Sequence, residues 1–447
     1  MGKKTKSEGE AQERRGRRGK ASFSFLGTSF DGIDKDTVRQ HIFILAAIAI
    51  VTKFAVVLFT TAGFHSFVDL FDIGFYYDHI ILLLQGQLPY ISYPFDYPIL
   101  VFVPLTIAFI PALLFQNAMA FVYTFQFLMI VCDTVTIMCI YFIAMRIWNE
   151  KTAFRAGLIY ATAFSTAYFV ITKYDAFPTS LMMVALLFTV YGMNVKGYIA
   201  ATLGFFAKIY PAIAFPFLIV YNAKTSSLKE EIISTAKVVV PFFVVLFLPL
   251  AVIRPEVINT YLFATGTTVG VYVNTATYTI YAWLHDVIGL GVSSSAVSIV
   301  MYCLMALVLL AALASAWFDT EKKPDRLLRL LLVAIFSVIL FTKFHSPQYI
   351  VWFTPLLCLL VADDIVKIGL FFIAQALAYI EFPLMFNGFY TNLQYVNAVG
   401  SSGWYTTLLF FTFEYAVLII LMYLAIRPAD FLKVLKQKIP GAFSKTE

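Results

Sequence analysis

The sequence predicts an all-α, polytopic membrane helix bundle. Of its 447 residues, 61% are hydrophobic and 13% are charged, whereas a soluble domain is about 45–50% apolar and about 25% charged. The excess forms repeated apolar runs of roughly 18–25 residues, each long enough to cross a hydrocarbon layer about 30 Å thick. Runs of helix length indicate a bundle rather than a barrel. We expect about 10–12 membrane segments, some of them broken or re-entrant.

Three regions follow from the distribution of charge. Residues 1–40 begin "MGKKTKSEGEAQERRGRRGK" and are predicted to be a disordered, basic cytoplasmic tail that orients the first span. Residues 41–430 are predicted to be a single transmembrane domain, and 431–447 a cytoplasmic C-terminal tail. The four cysteines lie in apolar runs without paired spacing, so we expect neither disulfides nor a zinc site. We expect no nucleic-acid partner.

The apolar runs have boundaries that can be read directly from the sequence. The spans that we predict are 41–63, 121–145, 157–172, 177–195, 238–253, 295–317, 327–341, 349–361, 368–386 and 404–426.

The basic connections restrict how these spans cross the membrane. The segments "MRIWNEKTAFRAG", "NAKTSSLKEE" and "DTEKKPDRLLR" should all be cytoplasmic by the positive-inside rule. Residues 97–116, which contain three prolines, are therefore predicted to be a re-entrant or interfacial helix. The segment interrupted by Lys208 and Pro211 is predicted to be two half-helices. Broken backbone at membrane depth must be buried in protein or line a cavity.

This threading places four polar segments on the non-cytoplasmic side. They are 69–98, within the first external loop (64–98), "TKYDAFP" (172–178), "AKIYP" (207–211) and "TKFHSPQY" (342–349). Ionisable groups at the membrane are costly and indicate function. A single lysine could instead extend toward the interface. Lysines for phosphate, together with carboxylates for hydroxyl groups or a metal, predict one site for a polyanionic head group.

The aspartates of the first external loop also have structural interpretations. Asp69 is expected to cap a short helix, Asp78 could face water on its polar side, and Asp96 could be a turn residue. Asp72 and Tyr76 lie four residues apart and therefore on one helix face. The loop's tyrosines could form an interfacial belt.

Two further ionisable residues interrupt predicted spans. Lys53 lies in the first span and Asp133 in the second. We interpret Asp133 as an interhelical hydrogen-bonding group rather than a catalytic one.

The polar segments, taken in order, resemble a known family. "DIGFYYDHIILLLQGQLPYISYPFDYPIL" resembles the first external loop of GT-C glycosyltransferases that use polyprenyl-phosphate sugars. It is particularly similar to polyprenol-phosphate-mannose-dependent mannosyltransferases and the GPI first-mannosyltransferase family. "KYDAFPTSLMMVALL", "GFFAKIYPAIAFP" and "TKFHSPQYIVWFTPLL" are similar to later segments of that family. The matching positions of the first segment are Asp72, Gly86, Pro89, Tyr90, Tyr97 and Pro98.

The sequence departs from the family pattern at several positions. Ile99 stands where a second proline is common, Asp96 where glutamate is common, and Lys173 replaces the usual arginine. In the GPI-type pattern two aspartates flank one residue, and Leu70 occupies the position of the first. We therefore do not expect a metal site built on two carboxylates.

The resemblance implies a reaction. A hexose, which we expect to be mannose, would be transferred with inversion from a polyprenyl- or dolichyl-phosphate donor. The acceptor would be a hydroxyl of a glycolipid or lipid-linked oligosaccharide on the non-cytoplasmic face. We expect a prokaryotic plasma membrane, or the ER membrane in a eukaryote, and no required metal or cofactor.

The same resemblance assigns roles to residues. Asp72 would be the general base. Lys208, Lys343 and His345 would bind the donor phosphate. The residues expected to position the substrates are Tyr76, Asp78, Lys173, Asp175, Tyr210 and Gln348.

Two other classes of protein remain open from the residues alone. Broken helices around a mid-membrane polar site are typical of secondary transporters. Against this, the sequence has no inverted repeats and its polar segments cluster on one face. The third class is a non-catalytic lipid-binding or assembly subunit, in which Asp72 only caps a helix or pairs with a lysine.

Overall fold

The computed structural model describes residues 22–59, 69–93, 95, 97–258 and 270–427. Six helices are long and apolar enough to cross a membrane, and a pair bent by 60°, Glu150–Ala161 (α5) with Phe164–Thr172 (α6), raises the number to seven. The six are Lys35–Val57 (α1), Ala118–Ile147 (α4), Leu228–Ile253 (α10), Ser294–Phe318 (α12), Ile365–Met385 (α15) and Ser402–Ile426 (α16). The predicted all-α, multi-pass membrane bundle is confirmed.

Shorter helices complete the described chain. They are Phe71–Leu84 (α2), Phe102–Phe115 (α3), Ala176–Val190 (α7), Asn194–Ala207 (α8), Ala214–Asn222 (α9), Ala276–Ala282 (α11), Pro324–Phe341 (α13) and Ile350–Val361 (α14). Single 3₁₀ turns, Ile99–Val101, Tyr210–Ile213 and Pro347–Tyr349, lead into α3, α9 and α14. The tail 431–447, residues 1–21, Asp96 and most of the loop before α2 lie outside the described residues.

The predicted disorder of residues 1–40 is wrong for residues 22–40. Ser22–Phe25 (β1) and Thr28–Asp31 (β2) form an antiparallel hairpin, and α1 begins at Lys35. The reason is aromatic packing. The ring of Phe25 stacks on Phe142 with centroids 3.7 Å apart, and its edge meets Tyr191 at 5.4 Å.

The break between α8 and α9 was predicted from Lys208 and Pro211, and the structure confirms it. Helix α8 ends at Ala207, Lys208 adopts an extended backbone, and the chain resumes helical geometry at Tyr210. After the break, the chain passes close to α8 at Pro211. Gly204 allows this approach, because a Cβ at position 204 would lie 3.1 Å from the Cβ of Pro211.

The predicted re-entrant segment 97–116 is a short apolar helix. It ends at Phe115, where Gln116 is left-handed with φ of 50°, and Asn117 caps α4 by accepting from the N–H of Met119. A turn this tight makes α3 and α4 a helical hairpin. Whether α3 crosses or re-enters stays a prediction.

A buried ion pair joins three helices in the centre of the bundle. Lys53 Nζ of α1 lies 2.8 Å from Asp133 Oδ2 of α4, and both side chains are 1% exposed. Tyr160 of α5 donates a hydrogen bond to Asp133 Oδ1 at 2.8 Å. Asp133 therefore acts as an interhelical bonding group, as the sequence suggested.

Breaking this pair should destabilise the protein more than removing it. We expect Lys53→Met alone to lower the free energy of unfolding by about 3–5 kcal/mol, because it leaves a buried carboxylate without its cation. Lys53→Met combined with Asp133→Leu should recover most of the loss. Thermal unfolding of the detergent-purified protein measures both, with the exposed Lys151→Met as control. A single variant as stable as the control would contradict the expectation.

Candidate functional site

The first part of the site is an ion-pair cluster of one lysine and two aspartates. Lys173, which follows α6, places its Nζ 2.9 Å from Asp69 Oδ2 and 3.0 Å from Asp72 Oδ2. Asp72 lies in the first turn of α2. Two carboxylates facing one ammonium leave one formal negative charge. The Asp72 side chain is 17% exposed and the Asp69 side chain 26% exposed, so both carboxylates are partly accessible.

The lysine of this cluster is held in its charged form. Burial by itself lowers the pKa of Lys173, but the charges of Asp72 and Asp69 and their hydrogen bonds outweigh burial and raise the pKa above its usual value. Lys173 therefore stays cationic across the physiological pH range.

Asp69 makes two polar contacts. Its Oδ1 accepts the N–H of Phe71, the first residue of α2, at 2.9 Å, but it does so from one residue before the N-cap, which is Leu70 and has no side-chain capping bond. Its Oδ2 also pairs with Lys173. Because Asp69 precedes the helix, the i, i+3 spacing rule does not apply to it, and no local pattern reveals this second contact.

Tyr76 extends the cluster inward. Its hydroxyl lies 3.5 Å from Asp72 Oδ2, as the i, i+4 spacing predicted, and its side chain is fully buried. Burial raises the pKa of Tyr76 well above its usual value, and Tyr97 and Asp72 add to the shift. The phenol therefore remains neutral and serves as a donor to Asp72.

The second part of the site is built on a fully buried carboxylate. Asp175 Oδ1 lies 2.6 Å from Lys208 Nζ and accepts the indole N–H of Trp352 at 2.5 Å. Its other oxygen, Oδ2, is buried without a hydrogen-bond partner in the described chain. In this structure Asp175 orients Lys208 and Trp352, and it has no exposed surface for a substrate.

Aromatic rings surround the ammonium of Lys208. Its Nζ lies 4.7 Å from the ring centroid of Tyr174, 5.1 Å from that of Trp352 and 5.9 Å from that of Tyr349. A cation placed over aromatic faces gains electrostatic stabilisation there. Trp352 lies in the quoted segment "SPQYIVW", but sequence reasoning gave it no role.

Tyr210 packs against Trp352, one of the rings around Lys208. Its ring stacks on Trp352 with centroids 4.3 Å apart, and its hydroxyl lies 2.7 Å from Thr179 Oγ1. The side chain is 5% exposed, so its contacts are with protein.

Three tyrosine rings connect the two parts. Tyr174 contacts Tyr76 at 5.7 Å and Tyr97 at 5.0 Å between ring centroids, and Tyr76 contacts Tyr97 at 5.9 Å. Tyr174 is also one of the rings that surround the ammonium of Lys208. The polar segments 69–98, 172–178 and 207–211 therefore meet, as the threading predicted.

The fourth polar segment joins through Tyr349. The ring of His345 lies 5.7 Å from that of Tyr349, which faces Lys208. Lys343 is half-buried, its carbonyl accepts from the N–H of Tyr272 at 2.9 Å, and its ammonium forms no ion pair within the described ranges. Gln348 accepts a hydrogen bond from the hydroxyl of Ser346 and is 9% exposed.

His345 is neutral in this environment. Burial lowers its pKa to about 4. It therefore contributes a hydrogen-bonding imidazole near neutral pH rather than a positive charge, and Lys343 is the available cation of this segment.

A polar network behind His345 was not found from the sequence. Glu381 Oε2 lies 3.9 Å from His345 Nε2, and Glu381 Oε1 accepts from the amide of Asn274 at 2.8 Å. Tyr415 donates to the carbonyl of Asn274 at 2.7 Å. Because these residues come from three distant parts of the chain, no spacing could reveal them.

Asp78 is not brought to the cluster. It is exposed and lies two residues from Tyr76 on α2, which places it nearly opposite Tyr76 around the helix. Its predicted role in positioning a substrate is not supported by this placement. Asp96 lies outside the described residues.

Over the part of the chain that the structure describes, no three His, Cys, Asp or Glu side chains come together in a group that could hold a metal ion.

No protein-family model matches the sequence, and no curated protein matches it. Among solved structures, the chain is similar to ArnT from Cupriavidus metallidurans in the apo state. The two share 15% identity over 80% of this chain and 68% of that chain, with a TM-score of 0.46. At these values the likeness assigns neither a family nor an activity.

The hydrogen bond from Trp352 to the buried Asp175 gives a testable expectation. Trp352→Phe keeps an aromatic ring but removes the indole N–H, so the free energy of unfolding should fall by about 1–3 kcal/mol. Thermal unfolding in detergent measures the loss. Trp317→Phe at an exposed position is the matched control and should change little. Equal stability of the two variants would contradict the role of this bond.

Proposed function

We propose that this chain is a GT-C-type membrane glycosyltransferase that uses a polyprenyl- or dolichyl-phosphate-linked sugar. One observation carries the proposal. A partly exposed aspartate, Asp72, pairs with Lys173, and the contact between Tyr76 and Tyr174 connects this pair to a second lysine, Lys208. Asp72, Lys173 and Lys208 come from segments that resemble this family in order. Three such segments meeting in space is the arrangement that a shared active site requires.

The reaction needs one base and one cationic environment. Asp72 would accept the proton of the acceptor hydroxyl as that oxygen forms a bond to the anomeric carbon. The bond between the anomeric carbon and the phosphate oxygen breaks on the opposite face, and the polyprenyl phosphate leaves with the electron pair. Attack opposite the leaving group inverts the anomeric centre.

Lys173 fits the role of a positioning residue for Asp72. It contacts Asp69 as closely as Asp72, at 2.9 Å and 3.0 Å. Asp69 can therefore keep the ammonium in place when Asp72 turns to an acceptor hydroxyl. This arrangement gives the base freedom without leaving a buried lysine unpaired.

The donor phosphate needs positive charge that is not already neutralised. Lys208 is paired with Asp175, whereas Lys343 forms no ion pair in the described part of the chain. We assign Lys343 as the principal phosphate ligand and Lys208 as a supporting one, with His345 as a neutral hydrogen-bonding group. Tyr210 and Gln348 would position the substrates beside these residues.

We further propose mannose as the sugar, a hydroxyl of a glycolipid or lipid-linked acceptor, and a site on the non-cytoplasmic face of a prokaryotic plasma membrane. These choices rest on the sequence resemblance and the positive-inside threading.

Replacing the proposed base tests the assignment. We expect Asp72→Asn to lower kcat for sugar transfer from a polyprenyl-phosphate donor by about 10²–10⁴-fold, the usual contribution of a general base. Transfer of radiolabelled mannose, glucose or arabinose from their polyprenyl phosphates, in liposomes containing the purified protein, measures this and identifies the sugar. Asp36→Asn, on an exposed helix start, is the control.

Near-normal turnover by Asp72→Asn would overturn the base assignment. If the unaltered protein moves a lipid-linked sugar across the bilayer without transferring it, the transporter interpretation replaces the transferase.

Chelation tests the expected independence from metal. The single-phosphate leaving group would be met by lysines, so EDTA should leave the initial rate within about twofold of its value in buffer alone. The same transfer assay measures the rate with EDTA and after adding Mg²⁺ or Mn²⁺. Complete loss of activity, restored by either ion, would contradict the expectation and indicate a carboxylate metal site.

A further inference from the structure

A cavity lies at the other end of three helices that build the candidate site. Helix α7 begins directly after Asp175 and ends at Val190, which lines the cavity. The 3₁₀ turn that begins at Tyr210 leads into α9, whose Tyr221 also lines the cavity. Helix α13 runs from the cavity-lining Pro324 toward the segment that holds Lys343. The helix α13 alone is about 27 Å long, so the cavity is separate from the candidate site.

The cavity has a volume of about 480 Å³. Its lining includes Arg146, Tyr191, Tyr221, Lys322 and Asp325. Sites for small ligands are generally about 300–1,000 Å³, so a phosphate-bearing head group fits.

Two cations face this space. Arg146 lies in the last turn of α4, is exposed, and forms no ion pair within the described ranges. Lys322 donates a hydrogen bond to Thr225 Oγ1 at 3.0 Å, and its Nζ lies 5.0 Å from the ring centroid of Tyr221. Burial lowers the pKa of Lys322, which indicates that its ammonium is partly desolvated and would gain from an anionic ligand.

The cavity lining also contains one carboxylate, that of Asp325. Asp325 lies 3.9 Å from Arg329 Nε, one turn along α13. It can accept hydrogen bonds from hydroxyl groups next to a phosphate. The lining therefore matches a phosphate flanked by hydroxyl donors rather than a bare anion.

The wall formed by Tyr191 is fixed in place. The hydroxyl of Tyr191 donates to the carbonyl of Phe142 at 2.9 Å, and the edge of its ring meets Phe25 of the N-terminal hairpin. A preformed wall lowers the entropic cost of binding.

We propose that this cavity binds the phosphate-bearing head group of an anionic phospholipid. The basic connections "MRIWNEKTAFRAG" and "DTEKKPDRLLR" contain Arg146 and Lys322, so the cavity lies at the ends of membrane helices, at the level of lipid head groups. Basic pockets between membrane helices bind anionic head groups. The planar guanidinium of Arg146 suits a phosphate with two parallel hydrogen bonds. A soluble phosphate compound shares this chemistry and is distinguished by the test.

The test uses the full chain purified in a neutral detergent. Binding of short-chain dioctanoyl phosphatidylglycerol is titrated by microscale thermophoresis, with phosphatidylcholine of the same chain length as the neutral lipid. We expect saturable binding of phosphatidylglycerol, weakened about tenfold or more in Arg146→Gln/Lys322→Gln. Lys151→Gln/Lys229→Gln removes two exposed charges outside the cavity lining and should change affinity less than twofold.

Inorganic phosphate and glycerol phosphate are then added as competitors. Failure to displace the lipid at equal concentration supports the lipid assignment. Displacement that depends on Arg146 and Lys322 would overturn the lipid as occupant in favour of a soluble phosphate compound. Equal weakening by both double variants, or binding of phosphatidylcholine as tight as phosphatidylglycerol, would overturn the cavity as a phosphate site. Arg146→Gln alone, on the exposed end of α4, repeats the test if the double variant is not monodisperse.

Discussion

The structure depends on three ion pairs that join lysines inside the helix bundle to aspartates of other elements. Lys53 pairs with Asp133, Lys173 with Asp69 and Asp72, and Lys208 with Asp175, all at 2.6–3.0 Å. An isolated charge in an apolar interior is too costly to persist, so a buried lysine requires a carboxylate nearby. These pairs therefore define which helices must meet.

The three pairs differ in what they leave available. The Lys53 pair is closed on all sides and has only a structural role. The Lys173 cluster has one carboxylate more than it has cations, and both carboxylates are partly exposed, Asp69 at 26% and Asp72 at 17%. The Lys208 pair is balanced but held within aromatic rings. Lys343, in the segment that also contains Tyr349, has no counter-ion in the described ranges.

Breaks in the helices make this arrangement feasible. Lys173 and Lys208 both have extended backbone at a helix end, which turns each side chain away from its own helix and toward its partner. A continuous helix at either position would keep the backbone groups paired but would direct the lysine along the helix surface. Helices α7 and α13 run from the region of this site to the other end of the bundle, where Arg146 and Lys322 line a separate cavity.

The sequence by itself determined the helical class, the break at Lys208, the shared face of Asp72 and Tyr76, and the convergence of polar segments. These follow from local rules: hydropathy, proline and charge interruptions, helical spacing and the distribution of basic loops. The tertiary structure decided the partners. Only packing brings Trp352 to Asp175, Glu381 to His345, and Asp69 together with Asp72 to one lysine.

Tertiary contacts also turned Asp78 outward and ordered the hairpin after residue 21. The physical reason is that hydrogen bonds join residues as distant as Thr166 and Gln375, which are 209 positions apart along the chain. No local pattern specifies which distant group will meet a given charge.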